Sequence, residues 1–508
     1  MTEKNFNIES DKEFDALIES SLGELPPEYV TDEVTPWKTA ISRVLWGLAL
    51  CSVTVNLFAL DYILPAVGMI LSLLGFRALR TENGNFKACY VISVMRTAAV
   101  LISVVLDATV YRSTQFGEIL AKAITVFNVI NILILLVCLK CAFIAVKEKA
   151  GLEGGVGGAT ALIIWEIIVL ALALINYQGI IIPIITFIAY ICIIKSLFTL
   201  SKELDEAGYA INAAPVRVSD KAFTVAICSV LAICIICGYV FFNAYPMKWA
   251  ETQTAETAQI TQIKENLLEL GFPEDVLNDL SDEDILECAG AVHVVFFTED
   301  FSSEEGVQNY LSSNGRLRLT SVGVKLPEDR EKWRIFHHFE WIEKPWFYGT
   351  ESIQLWPTYR EFGDWYQYGE LTGRVLYDRN GKTYTAPYPF LGTETYTNDT
   401  VFWGESDSTD VFASFSLPNG GENQRGYISY GIVAKKELLF VDSWVNYTHQ
   451  ITPLQYPVRS ATEYRMYGDG YAYNFTFETV QHAIQYIPET NRTDISDESG
   501  VVYIEDES

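Results

Sequence analysis

Residues 222–245 read AFTVAICSVLAICIICGYVFFNAY, a run with no charged side chain, bracketed by Lys221 and Lys248. A hydrocarbon core of ~30 Å is crossed by ~20 helical residues, so this run is long enough to span with some tilt. Tyr239, Phe241, Phe242, Tyr245 and Trp249 crowd its far end, as aromatic rings do at a membrane–water interface. The sequence before this helix is built for lipid and the sequence after it for water.

Charge divides the 508-residue chain at the same place. Residues 1–40 carry 3 basic and 10 acidic side chains, residues 41–249 carry 15 and 11, and residues 250–508 carry 18 and 43. Nucleic acid is excluded as an expected partner, because phosphate binding needs a basic face and neither water-exposed part is basic overall. Eight of the nine cysteines precede residue 250 and only Cys288 follows it. The water-facing part therefore has no internal disulfide, which fits a bacterial envelope protein better than a secreted eukaryotic one. No cleavable leader opens the chain, so the first spanning helix is expected to do the targeting.

Working back from Ala222, seven apolar segments can be placed: 41–60, 62–76, 88–106, 119–140, 159–175, 179–196 and 222–245. One set of connections holds Arg77, Arg80 and Lys87, then Lys147 and Lys149, then Lys202, Arg217 and Lys221; the opposite set holds only Arg112. By the positive-inside rule the amino terminus is cytoplasmic and residues 250–508 are outside. The second segment is short and carries Pro65, Gly68 and Gly75, which suits a tilted, broken or re-entrant helix. Upstream, Ser10 to Glu13 matches a capping box. Phe14, Leu17, Ile18 and Leu22 follow at helical spacing, so an amphipathic helix is expected over 11–22. It either packs on the bundle or docks a cytoplasmic partner.

Polar residues inside lipid are costly and mark function first. Arg96 lies about eight residues into the third segment, or ~12 Å at the helical rise, and Glu166 lies at a similar depth in the fifth. The two are expected to pair. Such a pair either locks the bundle or relays a proton or substrate. Asn128 and Asn131 in the fourth segment either join them or bond across helices. Cys234-x-x-Cys237 has redox or zinc spacing but sits in an apolar helix with no histidine or charge nearby, which reads as small-residue packing. Trp46, Asn56, Pro65 and Arg77 recur in order as Trp165, Asn176, Pro183 and Lys195. Such an echo marks a repeat in some transporters and arises by chance in compositionally simple sequence.

Downstream, Ala250 to Leu270 reads as a helical neck stopped by Gly271-Phe272-Pro273, and Ser281 caps a second helix over 282–288. Period-two alternation then predicts about ten strands: 292–297, 316–324, 333–342, 352–356, 373–377, 383–388, 411–417, 426–435, 438–445 and 463–475. Asn380-Gly381 is the strongest hairpin signal. The expected fold is an α-helical transmembrane bundle of about seven helices followed by an all-β extracytoplasmic domain, an antiparallel sandwich or jelly roll, on a short helical neck. The domains are an acidic cytoplasmic tail (1–40), the bundle (41–246), the neck (247–290), the β-domain (291–487) and an acidic mobile tail (488–508).

The β-domain is rich in tryptophan and tyrosine, whose rings either fill a sandwich core or stack on a glycan or peptide. The run from Trp356 to Tyr368 lacks strand alternation, so Tyr359, Trp365, Tyr366 and Tyr368 are the candidate ligand-contact aromatics. All five histidines lie in this part, none in a zinc-protease or nucleophile-elbow motif. His338 and Glu340 share one strand face, which is a pair of ligands and not a metal site. No catalytic, cofactor or metal residues are assigned, and no enzyme is expected.

Pro36-Trp37, NLFALDYILP (56–65), GFRALR (75–80) and QRGYISY (424–430) carry a resemblance that spans both halves. On these stretches the chain resembles uncharacterised multi-pass membrane proteins of anaerobic Gram-positive bacteria with an outer β-domain. The resemblance implies a bacterial cell membrane and brings no activity or site residues with it. The leading functional reading is an envelope receptor or binding protein whose β-domain meets an extracellular glycan, cell-wall or protein partner. The alternative is a transporter or channel-like protein with a polar path near Arg96, Asn128, Asn131 and Glu166.

Overall fold

The computed structural model describes residues 37–504 except 53–59, 176, 178, 210, 212–213, 253–256, 304–310, 312–314, 328–330, 362–364, 401–403, 436–439, 454, 468–475, 488–491 and 498–499. The helix expected over 11–22 lies outside the described residues. The chain divides into two compact units. The first comprises the described residues up to Val105 together with Ile119–Ile235, and the second comprises Leu106–Glu118 and Ile236 onward.

The helical unit contains α1 (Trp37–Ser52), α2 (Leu60–Leu79), α3 (Gly84–Leu106), α4 (Gln115–Lys149), α5 (Gly157–Leu174), α6 (Ile181–Glu206) and α7 (Asp220–Phe241), the last of these running on into the second unit. Six of them, α2 to α7, are long and apolar enough to cross a membrane. Helix α1, in the remaining expected span, is described over 16 residues, Trp37–Ser52, and residues 53–59, which follow it, lie outside the described residues.

Helix α2 is continuous through Pro65, the sixth helical residue, which removes one i→i−4 backbone bond. Its glycines have a packing reason. A Cβ on Gly68 would stand 2.6 Å from the Gly47 carbonyl, and one on Gly75 would stand 2.7 Å from the Ala40 carbonyl. Glycine lets α1 and α2 touch backbone to backbone, as small residues do between membrane helices. Helix α3 is capped by Asn83, whose Oδ1 accepts from the Phe86 amide at 2.8 Å. Trp37, Phe86, Phe143 and Leu197 are among the residues at the centre of the apolar core.

The basic connections gather at one end of this unit. Asp220, at the first position of α7, takes Arg43 at 2.7 Å and Arg77 at 3.0 Å. Glu82 accepts from Lys149 at 3.2 Å and from the Tyr209 hydroxyl at 2.9 Å. Three loops far apart in sequence are thereby joined by charge.

The second unit opens with β1 (Ala250–Glu251), α8 (Ala258–Glu269), α9 (Glu274–Asp279) and α10 (Asp282–Glu287). It continues with β2 (His293–Ser302), β3 (Arg316–Lys325), β4 (Lys332–Glu343), β5 (Glu351–Trp356), α11 (Thr358–Glu361), β6 (Trp365–Arg379), β7 (Lys382–Ala386), β8 (Phe390–Thr400) and β9 (Gly404–Phe415). The remaining elements are β10 (Glu422–Ala434), β11 (Val441–Gln450), α12 (Ala461–Tyr467), β12 (Phe477–Ile487), β13 (Arg492–Asp497) and β14 (Gly500–Ile504). They form two seven-stranded antiparallel sheets, ordered β1-β7-β6-β10-β4-β3-β2 and β14-β13-β12-β11-β5-β9-β8. One core serves both, with Trp333, Ile335 and Phe339 of the first sheet meeting Leu355, Phe415, Tyr447 and Ile484 of the second.

The Asn380-Gly381 turn is a hairpin with both residues at positive φ, 54° and 72°, joining β6 to β7 with Arg379 opposite Lys382. The neck is shorter than expected. Residues 250–251 pair with β7 and helix begins at Ala258, capped by Thr257. Helices α8 to α10 bury Ile260, Leu267, Val276 and Ile285 with Phe336, Val322 and Tyr427 of the first sheet.

Three expectations are corrected. Residues 463–467, expected in a strand, are helical. Ser460 Oγ accepts from the Glu463 amide at 3.2 Å while Glu463 accepts from the Ser460 amide at 3.1 Å, a reciprocal capping box. The segment from 488 onward, expected as a tail, contains β13 and β14, which extend the second sheet as a hairpin. Trp356 to Tyr368, expected as a loop, contains α11 and the start of β6.

Candidate functional site

In the helical unit a polar layer surrounds Arg96. This residue is the thirteenth of the 23 in α3, midway along, and is 8% exposed. Ser93 and Thr97 of the same helix are also buried, Ser93 at the i−3 position that neighbours Arg96 on the helix surface and Thr97 at i+1, which does not face it. Asn83 Nδ2 donates to the Ala142 carbonyl at 3.4 Å and Cys89 Sγ to the Leu135 carbonyl at 3.7 Å. Arg96 Nε, Ser93 Oγ, Thr97 Oγ1 and Asn128 Oδ1 are buried without a hydrogen-bond partner among the described residues. Asn131 is satisfied locally, since its Nδ2 donates to the Phe127 carbonyl at 2.7 Å.

Glu166 lies midway along α5 and is half-buried. No direct ion pair within 4.0 Å joins it to Arg96 among the described residues. The Tyr190 hydroxyl of α6 donates to the Leu48 carbonyl at 3.0 Å. Cys51 Sγ of α1 donates to the Pro65 carbonyl at 3.6 Å. Sequence reasoning named Arg96, Glu166, Asn128 and Asn131 but missed Ser93 and Thr97, whose polar side chains inside an apolar helix were the available signal.

The aromatic candidates of the second unit do not make one surface. Strand alternation in β6 sends Trp365 inward, 2% exposed, with Nε1 donating to the Phe440 carbonyl at 3.2 Å, so it cannot touch a ligand. Tyr366 points outward, 54% exposed, its ring 4.2 Å from Lys435 Nζ. Tyr368 is half-buried under Lys332 at 4.6 Å, and Tyr359 packs edge-on against Tyr430 at 5.6 Å. Only Tyr366 of the four presents a free ring face of any size.

The buried polar groups of this unit are cross-braces. His337 joins Ser321 at 2.7 Å to Ser443 at 2.8 Å, bridging the two sheets, and burial holds its pKa down to about 3. His338 meets Asp279 at 2.9 Å, with Arg425 on the other carboxylate oxygen at 2.7 Å. Burial pushes the Asp279 carboxyl up, but His338 and Arg425 together outweigh it and the net shift is down. Asp284 accepts from Arg334 at 3.0 Å, Thr372 at 2.6 Å, Ser281 at 2.7 Å and the Tyr427 hydroxyl. Both acidic hubs tie the neck helices to the first sheet. Among the described residues no group of three or more His, Cys, Asp or Glu side chains could hold a metal ion.

One feature of this unit has no counterpart in the sequence reading. The connection between α3 and α4 belongs to it. The Val110 amide donates to the Phe242 carbonyl at 2.8 Å and the Val458 amide to the Asp107 carbonyl at 2.7 Å. Asp107, Ala108, Thr109 and Val110 are all buried, and Gly238 leaves room for Thr109 against α7.

No family model matches the sequence, and no curated protein matches it. Two solved structures align with 42% of the chain. One is described as a pore forming protein, with 9% identity, a TM-score of 0.20 and 95% of that chain covered. The other is the Clostridium perfringens delta-toxin, with 7% identity, a TM-score of 0.20 and 93% of that chain covered. At that TM-score the likeness carries no functional weight.

Proposed function

We propose that the protein is an envelope receptor or binding protein whose second unit meets a glycan, cell-wall or protein partner outside the cell and passes that event to the membrane helices. The observation that carries this reading is the incorporation of residues 106–118 into the second unit. An anchor needs one tether. Here α3 and α4 run into the held connection, and α7 runs directly into the same unit. A ligand that shifts the second unit therefore acts on three helix ends at once, which is the differential contact a relay requires.

Sidedness supports the same reading. Four candidate spans, α4 to α7, separate the 106–118 connection from Phe242. An even number of crossings returns the chain to the same side. The basic connections cluster at the other end of the helical unit, which by the positive-inside rule is cytoplasmic.

The test is a glycan and cell-wall fragment panel on the full chain in nanodiscs, read by hydrogen exchange. The expected result is a binder that protects the β-strands and also residues 106–118. Protection that stops short of that segment refutes the relay, and a panel without a binder refutes a glycan or cell-wall ligand.

A further inference from the structure

We propose that the helical unit holds the headgroup of an ammonium-bearing phospholipid, of the phosphoethanolamine type, in a cavity between the start of α5 and the later part of α6. The cavity measures about 420 Å³, within the ~300–1,000 Å³ usual for small-molecule sites. Its walls include Gly157 and Gly158 at the start of α5 and Cys192, Lys195, Ser196 and Glu203 of α6. Lys195 stands where α6 changes character. Residues 181–194 carry no charged side chain, and residues 195–206 carry five. A lysine at such a boundary lays its stem on apolar surface and keeps its ammonium toward water. The cavity therefore runs from an apolar end at Cys192 to a charged end at Glu203. Before Cys192, Ile188 and Ile191 are exposed, which gives acyl chains an apolar surface continuous with the cavity.

The charges on the walls select the headgroup. Lys195 and Glu203 have no ion-pair partner among the described residues, whereas Lys202 and Glu206 beside them pair with each other at 3.2 Å. Eight residues separate Lys195 from Glu203, ~12 Å along the helix. A phosphate on Lys195 and an ammonium two methylenes away on Glu203 bridge that separation, whereas a bare anion leaves the Glu203 carboxylate unmatched. Further donors stand at the phosphate end. Helix α5 starts without a side-chain cap. The Val156 carbonyl takes the Ala159 and Thr160 amides at 3.1 and 3.2 Å, and the amides of Gly157 and Gly158 are the unpaired donors that a helix start leaves. Such amides favour phosphate. Behind this turn Lys147, 6% exposed, has its Nζ 3.5 Å from where a Cβ on Gly154 would stand, and it too has no ion-pair partner among the described residues. Glycine shapes the space. A Cβ on Gly158 would stand 2.9 Å from Ser196 Oγ, whereas nothing lies within 4 Å of a Cβ on Gly157. Helix α5 therefore meets α6 at Gly158 and leaves the space beside Gly157 open. This inference is independent of the receptor reading.

The experiment titrates the full chain in detergent with dioleoylphosphatidylethanolamine, dioleoylphosphatidylglycerol and soluble glycerophosphoethanolamine, and reads occupancy by native mass spectrometry. The expected result is one phosphatidylethanolamine per chain, held about fivefold more tightly than phosphatidylglycerol, the upper range for an ion pair that water can reach. The soluble headgroup should bind more weakly than either lipid, since it lacks the acyl chains. Lys195→Gln should weaken both lipids about fivefold. Glu203→Gln should weaken phosphatidylethanolamine alone and erase the preference, a split that a merely structural role does not produce. Gly157→Leu places a side chain in the open space and should block both lipids with the fold intact. Equal affinity for the two lipids, soluble headgroup bound as tightly as lipid, a preference that survives Glu203→Gln, or binding untouched by Gly157→Leu overturns the proposal.

Discussion

Asp284→Asn tests whether the neck is locked to the first sheet by charge. The carboxylate accepts four hydrogen bonds, from Arg334, Thr372, Ser281 and Tyr427. Arg334 is 0% exposed, and its other acidic partner, Glu287, has a side chain 40% exposed. The amide keeps the shape, removes the charge and turns one oxygen into a donor facing donors. Removing one partner of a buried ion pair costs ~3–5 kcal/mol, because the survivor stays buried and uncompensated. The assay is urea unfolding of the full chain in detergent, followed by tryptophan emission, with Trp333, Trp341 and Trp365 buried in the second unit as reporters. Asp284→Asn alone should cost about 3 kcal/mol or more. Adding Arg334→Met should recover part of that loss, with a coupling energy of about 2 kcal/mol, since neighbours in one network are not additive. A single cost below about 1 kcal/mol, or strictly additive changes, would refute the idea that this buried pair fastens the neck.

Two further outcomes follow from the packing. His337 is held neutral with a pKa of about 3 against an ordinary value of ~6.5. Its contribution is therefore complete above pH ~6.5 and is lost as pH falls, by up to ~1.4 kcal/mol per unit; His337→Gln should flatten the melting temperature between pH 6.5 and 4.5, above the main carboxylate range. Gly68→Val should force α1 and α2 apart at a cost of ~1–3 kcal/mol, whereas Gly84→Ala, with nothing within 4 Å of its Cβ position, should leave the thermal midpoint within about a degree.

Hydropathy and period-two alternation made the division of the chain legible, and the Asn380-Gly381 turn and the Ser281 cap were legible from local chemistry. The errors have identifiable causes. The alternation of Glu463, Tyr464, Arg465 and Met466 reads as strand, but the reciprocal cap of Ser460 and Glu463 commits that segment to helix. Strand β8 is missing from the reading because its threonines, Asp399 and Asn398 lack apolar alternation; its hydrogen-bonding partner β9 supplies what its own side chains do not. Trp365 reads from sequence as a ligand-contact candidate because nothing in its neighbours gives the register that turns it inward against the core.

The candidate polar layer divides in the same way. Sequence alone determined that Arg96 and Glu166 lie in apolar helices, because a charge in a greasy run is visible from hydropathy. It also determined which connections carry the basic residues. Only the tertiary structure decided that Ser93 and Thr97 are buried as Arg96 is, and that the α3–α4 connection belongs with the β-sheets. Local patterning records the solvent each residue meets. Which distant segments meet one another is set by register and packing, and those depend on the whole chain at once.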